Sequence, residues 1–157
     1  MTLQDSGKRR LFETGAVRDV CEGKGRLDLM PVSVIGKIYN DRVLQEIGQY
    51  VYDGDTSHIE SVLEVFIGVQ YHTFYDATLE VSKHYEEGAI KYKPRNWERG
   101  MPLHCYVDSG IRHYLKFMRG DTDEPHDKAF IWNMLGLLWT HQNKPRMHDL
   151  PFAEVEE

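Results

Sequence analysis

Apolar residues return at Leu44, Ile47 and Val51 after Asp41, with Gly48 on the same side and Gly54 closing the run. That is the spacing of a short helix with one buried face. Ser57 and Glu60 have the S-x-x-E form of a capping box, and Ile59, Val62, Leu63, Phe66 and Ile67 follow at helical spacing, which predicts a second helix from there. No proline interrupts the chain as far as Lys93, and Phe74, Thr78, Val81, Tyr85 and Ala89 prolong the stripe to about residue 92. The pattern fits one long helix or two broken near Gly68. Pro94, Asn96 and Gly100 mark a loop. Pro102 then suits the first turn of a helix facing inward with Leu103, Val107, Ile111, Tyr114, Leu115 and Met118, and Gly120 ends it. After Asp121-Thr122-Asp123-Glu124, Pro125 opens a last helix with Phe130, Met134, Leu137 and Leu138 inward, stopped by Asn143 to Pro145.

Residues 1–33 are different: rich in glycine and charge, they keep neither the helical nor the strand period for long, which predicts an ordered loop or short turns. The chain from Arg146 reads as a peripheral tail, and no repeat, low-complexity segment or alternating run of real length appears. The expected fold is all-α, a single domain over residues 1–157 built as a bundle of four to five helices behind an irregular N-terminal segment (1–33), with residues 146–157 peripheral.

Charge and composition narrow the function. The 25 acidic against 19 basic side chains give a formal charge of −6, which disfavours general nucleic-acid binding. No stretch nears the roughly 20 apolar residues of a membrane span, so no membrane partner is expected. Two cysteines, Cys21 and Cys105, make no disulfide framework, and the start of the chain lacks the apolar core of a secretion signal. A cytoplasmic location is expected.

Chemistry concentrates in three places. Glu86 and Glu87 sit near a helix end, followed within nine residues by Lys91, Lys93 and Arg95 and then by Asn96 and Trp97. Oxygen ligands for Mg²⁺ and cations for phosphate are thus side by side, although Lys91 four residues from Glu87 is also an ordinary surface pair. The next helix offers Asp108, Arg112 and His113, and the last offers His126 and Asn133 bordering its apolar stripe, with Glu124 and Asp127 at its start. A polar group turned into a bundle needs a hydrogen bond or a ligand. Carboxylates converging from three segments (Glu86, Glu87, Asp108, Asp123, Glu124, Asp127) repel unless a cation lies between them. That favours Mg²⁺ or Mn²⁺ and metal-assisted phosphate chemistry.

Three pieces together resemble the phage and bacterial dATP/dGTP diphosphohydrolases. They are Thr14 to Asp19 running into Lys24-Gly25-Arg26-Leu27-Asp28-Leu29-Met30-Pro31; Gly88-Ala89-Ile90-Lys91-Tyr92 with Asn96-Trp97 and Gly100; and Asp108-Ser109 with Arg112-His113, Gly120, His126 and Trp132-Asn133. They span about half the chain, and residues 34–78 match weakly. The resemblance implies hydrolysis of dGTP or dATP between the α and β phosphates. It also implies a relation to the all-α MazG-like pyrophosphohydrolases, Mg²⁺ held by ExxE and ExxD helices, a homodimer or homotetramer, and a role supplying dGMP for diaminopurine nucleotide synthesis. Glu124 and Asp127 form ExxD, but the nearest counterpart of ExxE is His84-x-x-Glu87, so the ligand set departs from that pattern.

The site expected from residues and resemblance has Glu86, Glu87, Asp108 and His126 as catalytic groups, and Glu86, Glu87, Asp108, Glu124 and Asp127 as metal ligands. Lys24, Arg26, Lys91, Lys93, Arg95, Asn96, Trp97, Arg112, His113 and Asn133 would bind the purine deoxynucleotide, with Trp97 stacking on the base and Asn96 or Asn133 reading its edge. Two other readings stay open: an HD-type triphosphohydrolase built on His126-Asp127 with His113 and Asp149, and a non-catalytic helical protein that binds nucleotides or serves assembly.

Overall fold

The computed structural model describes residues 8–154. The expected all-α bundle is what it shows, with six helices among the described residues: α1 (Val32–Tyr39), α2 (Arg42–Asp53), α3 (Ser57–Gln70), α4 (Phe74–Lys91), α5 (Leu103–Arg119) and α6 (His126–Asn143). Ahead of them lies a small antiparallel ribbon of β1 (Arg9–Leu11) and β2 (Val17–Asp19), with Arg10 opposite Arg18. Three residues are too few for the alternation of a strand to stand out in the sequence.

Two differences raise the helix number. Asp41 caps α2 by accepting the Leu44 N–H at 3.0 Å, but α1 precedes it as a separate helix that ends on Asn40 in the left-handed region. The chain between residues 57 and 92 divides at 71–73, three residues past Gly68, because Thr73 is an N-cap whose hydroxyl accepts the Asp76 N–H at 3.0 Å and starts α4 afresh. The expected Ser57/Glu60 capping box does not form. Thr56 occupies the cap position of α3 with no side-chain bond, and the Ser57 N–H goes to Asp55 Oδ1 at 2.9 Å.

The core lies where α5 and α6 pack along each other, joined by α2 and α3. Tyr106, Ile111, Phe130, Met134 and Leu137 are fully buried, and the Phe66 ring meets Phe130 edge-on at 4.8 Å. Gly110 and Gly136 permit the approach of α5 and α6. A Cβ at Gly136 would sit 2.4 Å from the Tyr106 ring, and one at Gly110 would sit 2.5 Å from Met134 Cε. On α4 the buried line is Ala77, Val81 and His84, while Phe74 and Thr78 of the expected stripe are exposed. Met118 is likewise exposed on α5. The segment from Arg146 is packed rather than peripheral: Leu150 is buried, and Phe152 lies 5.5 Å from the Tyr50 ring.

No helix among the described residues is long and apolar enough to cross a membrane.

Candidate functional site

The N-terminal segment, α4, the loop after it, α5 and α6 enclose a cavity of about 630 Å³, a size usual for small-molecule sites. Its sign is opposite to that of the whole chain. Arg10, Arg18, Lys24, Arg26, Lys91, Lys93, Arg95, Arg112 and Lys116 line it, against three carboxylates, Asp19, Asp108 and Glu124. Tyr85, Trp97 and Trp132 add an aromatic wall, with the Tyr85 ring 6.2 Å from Trp97 and 6.1 Å from Trp132.

Local contacts hold this wall in place. β2 is pinned by Asn96, whose Oδ1 accepts the Val17 N–H at 2.8 Å and whose Nδ2 donates to the Val17 carbonyl at 2.8 Å. Both ends of that buried amide are therefore occupied by backbone, and Asn96 is a clamp rather than a reader of a purine edge. Asn133, also buried, accepts from Arg18 Nη2 at 3.1 Å and donates to the Ala129 carbonyl at 2.8 Å, so it positions Arg18. The Arg18 guanidinium lies over the Tyr106 and Trp132 rings, 5.4 and 5.6 Å from their centroids. Its Nη1, together with Arg112 Nε and His84 Nδ1, is buried with no hydrogen-bond partner among the described residues. Of these, the two orphaned guanidinium donors are costly at a cavity wall unless an anion meets them.

The expected carboxylates do not converge. Asp108 is buried, and both its oxygens take Arg112 Nη2, at 2.8 and 2.9 Å, while Oδ1 also accepts the Leu27 N–H at 2.7 Å. It ties the N-terminal segment to α5. Asp127 accepts the Tyr71 hydroxyl at 2.7 Å away from the cavity wall. Glu86 is exposed on the outer face of α4, Glu87 is half-buried, and neither lines the cavity. Only Glu124 of the expected metal ligands reaches the wall with imidazoles beside it. Lys91 bonds Asp19 at 3.3 Å and Arg26 bonds Asp28 at 2.8 Å. Arg95, in the left-handed region at φ 59°, reaches Glu98 at 2.7 Å. Lys24 and Lys93 are exposed at the rim, and Trp97 packs edge-on against Trp139 at 5.0 Å.

Imidazoles gather instead. His113 of α5 and His126 of α6 face each other with their Nδ1 atoms 2.9 Å apart, and His126 Nε2 meets Asp123 Oδ1 at 2.7 Å. Burial, with His126 beside it, holds the His113 imidazole down to about 3, and burial holds His84 down to about 4. Both are neutral near pH 7. The set an HD-type site needs is scattered. Asp127 turns to Tyr71, and Asp149 pairs with His104, which that carboxylate pushes up to about 10.

A family model described as "dATP/dGTP diphosphohydrolase, N-terminal" matches residues 66–150, just over half of the chain. The chain belongs to this family. No curated protein and no solved structure matches it. The matched stretch contains α4, α5 and α6, the three helices that carry most of the cavity wall.

For a dATP/dGTP diphosphohydrolase the donor set matters. Mg²⁺ prefers six oxygens in an octahedron. Of the carboxylates on the wall, Asp108 pairs with Arg112 and Asp19 with Arg9 and Lys91, while Glu86, Glu87 and Asp127 lie off it, so the described carboxylates do not gather into an oxygen cluster there. The donors that do come together are mixed: His113, Glu124 and His126 place one ligand atom each within 4.8 Å of one another.

Sequence reasoning passed over Arg18, His84 and Lys116 as site residues. Arg18 and His84 stood in stretches already singled out, but the signal that marks them is burial without a partner, which only the fold supplies.

Proposed function

We propose that this protein hydrolyses the purine deoxynucleoside triphosphates dGTP and dATP to the monophosphate and pyrophosphate in the cationic cavity. The observation that carries the reading is the pair of buried, partnerless donors, Arg18 Nη1 and Arg112 Nε, on a wall of nine cations in a chain of formal charge −6. A tetra-anionic triphosphate answers both the unmatched N–H groups and the local excess of positive charge. Family membership supports the substrate class.

In the reaction, a water oxygen bonds to the α-phosphorus and gives up a proton to solvent, while the bond from the α-phosphorus to the bridging oxygen breaks and that oxygen leaves with pyrophosphate. Lys91, Lys93, Arg95 and Arg112 surround the space where that leaving group gathers charge, and fixed cations there stabilise it more than water does. Arg18, oriented by Asn133 and the two rings, adds a further grip on phosphate. Trp97 and Tyr85 offer faces and edges to the base. A divalent ion, when bound, polarises phosphate and lowers the pKa of water. The dGMP so formed suits the resemblance's role in building a modified purine nucleotide. Assembly as a homodimer or homotetramer is supported by Tyr75, Leu79 and Ile90, which stand 84%, 68% and 83% exposed along one face of α4.

The test is a panel of ribo- and deoxynucleoside triphosphates incubated with the purified protein and Mg²⁺ or Mn²⁺, with products resolved by chromatography. Deoxyguanosine and deoxyadenosine monophosphates with pyrophosphate are expected. Tripolyphosphate would move the protein to the HD-type chemistry, and nucleotide binding without turnover would make it a binding protein.

A further inference from the structure

We propose that His113, His126 and Glu124 form a mixed nitrogen and oxygen site for a divalent transition ion, of which Mn²⁺ or Co²⁺ is preferred over Mg²⁺. The proposal deepens the hydrolytic reading by naming the ion, yet it is argued from donor geometry alone.

Asp123 Oδ1 lies 2.7 Å from His126 Nε2, so a carboxylate takes that ring's N–H and leaves Nδ1 as the lone-pair nitrogen, the arrangement that orients metal-ligating histidines. His113 Nδ1 lies 2.9 Å away, with the two rings inclined at 40°; a metal held by both nitrogens takes the place of the proton they share, which passes to His113 Nε2 or to solvent. Two nitrogens each about 2.1 Å from a metal and at right angles around it are about 3.0 Å apart. The imidazoles therefore sit at the separation of one edge of a coordination polyhedron, and the Glu124 carboxylate closes its third corner within 4.8 Å.

His113 and Glu124 line the cavity, so the remaining positions open onto the space where a triphosphate would lie. Two imidazoles with one carboxylate suit Mn²⁺, Co²⁺ or Zn²⁺, whereas Mg²⁺ favours oxygen alone. A second grouping is Asp121, Asp123 and His126, with Asp123 on His126 Nε2. There Asp121 is already held by the Arg119 guanidinium, with Nε at 2.8 Å, and neither aspartate lines the cavity.

The experiment is equilibrium dialysis of the nucleotide-free, full-length protein against Mn²⁺, Co²⁺ or Mg²⁺, with metal counted by mass spectrometry and Co²⁺ followed by its visible absorption. One Mn²⁺ or Co²⁺ per chain is expected, at a Kd at least tenfold below that for Mg²⁺. Glu124→Gln and His113→Asn should each raise the Co²⁺ Kd at least tenfold and alter its spectrum, and Asp121→Asn should change neither. Glu124 is partly exposed, so its variant gives a result even if His113→Asn fails to fold. Equal affinity for Mg²⁺, sub-stoichiometric binding, a Kd untouched by Glu124→Gln, or loss of binding in Asp121→Asn would overturn the assignment. Because no nucleotide is present, this result stands apart from the turnover assay: either reading can fail while the other holds.

Discussion

Arg18 shows how one side chain acquires a role through its surroundings. Its guanidinium is fixed over Tyr106 and Trp132 and by Asn133 Oδ1, leaving Nη1 buried and unmatched. Lysine would keep the charge but lose the planar fork and its stacking on the rings. Arg18→Lys is expected to lower kcat/KM for dGTP by tenfold or more, mostly through KM, which corresponds to at least about 1.4 kcal/mol. Asn133→Ala should act in the same direction more weakly, since it loosens Arg18 without removing it. Unchanged steady-state constants in both variants would leave Arg18 a packing residue. At this scale the basic run Lys91, Lys93 and Arg95 was legible because clustered charge is visible without coordinates. Arg18 was not, because its partners lie 88 and more residues away: Tyr106, Trp132 and Asn133. Asn96 misled for a related reason. An amide that clamps Val17 has the same sequence appearance as one that reads a base. Asp108 did too, since a carboxylate four residues from an arginine can be a ligand or, as here, a buried ion pair.

The elements were legible where one face is buried and the ends carry a recognised cap. α2 satisfies both conditions, with Leu44, Ile47 and Val51 inward and Asp41 and Gly54 at its ends. α1 satisfies neither. Val34, Ile38 and Tyr39 are 52%, 74% and 66% exposed, so its apolar residues run around the helix instead of along one side, and no cap side chain opens it. What holds α1 is close contact with α2 through glycine. A Cβ at Gly48 would stand 2.4 Å from the Ser33 backbone nitrogen and 2.7 Å from its Cα. Backbone cannot swing aside as a side-chain tip can. Gly48→Ala is therefore expected to destabilise the protein by about 1–3 kcal/mol, although alanine favours a helix interior by roughly 1 kcal/mol. Gly68 in α3 has nothing within 4 Å of an added Cβ, so Gly68→Ala should stabilise by about 0.4–1 kcal/mol. Urea unfolding of both variants, with m unchanged, measures the contrast. Equal shifts in the two would mean that α1 and α2 separate at little cost.

Across the whole molecule the net charge and the site charge have opposite signs, and this makes a test whose direction can be stated in advance. A chain of formal charge −6 repels a triphosphate at long range, and added salt would relieve that repulsion and lower KM. The cavity, with nine lysines and arginines against three carboxylates on its wall, attracts the same ligand at short range, and salt would weaken the attraction and raise KM. Which effect wins depends on distance. The Debye length falls from about 10 Å at 0.1 M ionic strength to about 3 Å at 1 M, so charges spread over the outer surface are already screened near 0.1 M, whereas those on the wall lie within that length of the phosphates. The local term should therefore dominate. Between 0.1 and 0.5 M KCl, with divalent ion and free nucleotide held constant, KM for dGTP is expected to rise several-fold while kcat changes little, because bound phosphate inside the cavity is shielded from the added ions. A KM that falls as salt is added would mean that the substrate meets the acidic exterior rather than this wall, and the triphosphate would have to be placed elsewhere on the protein.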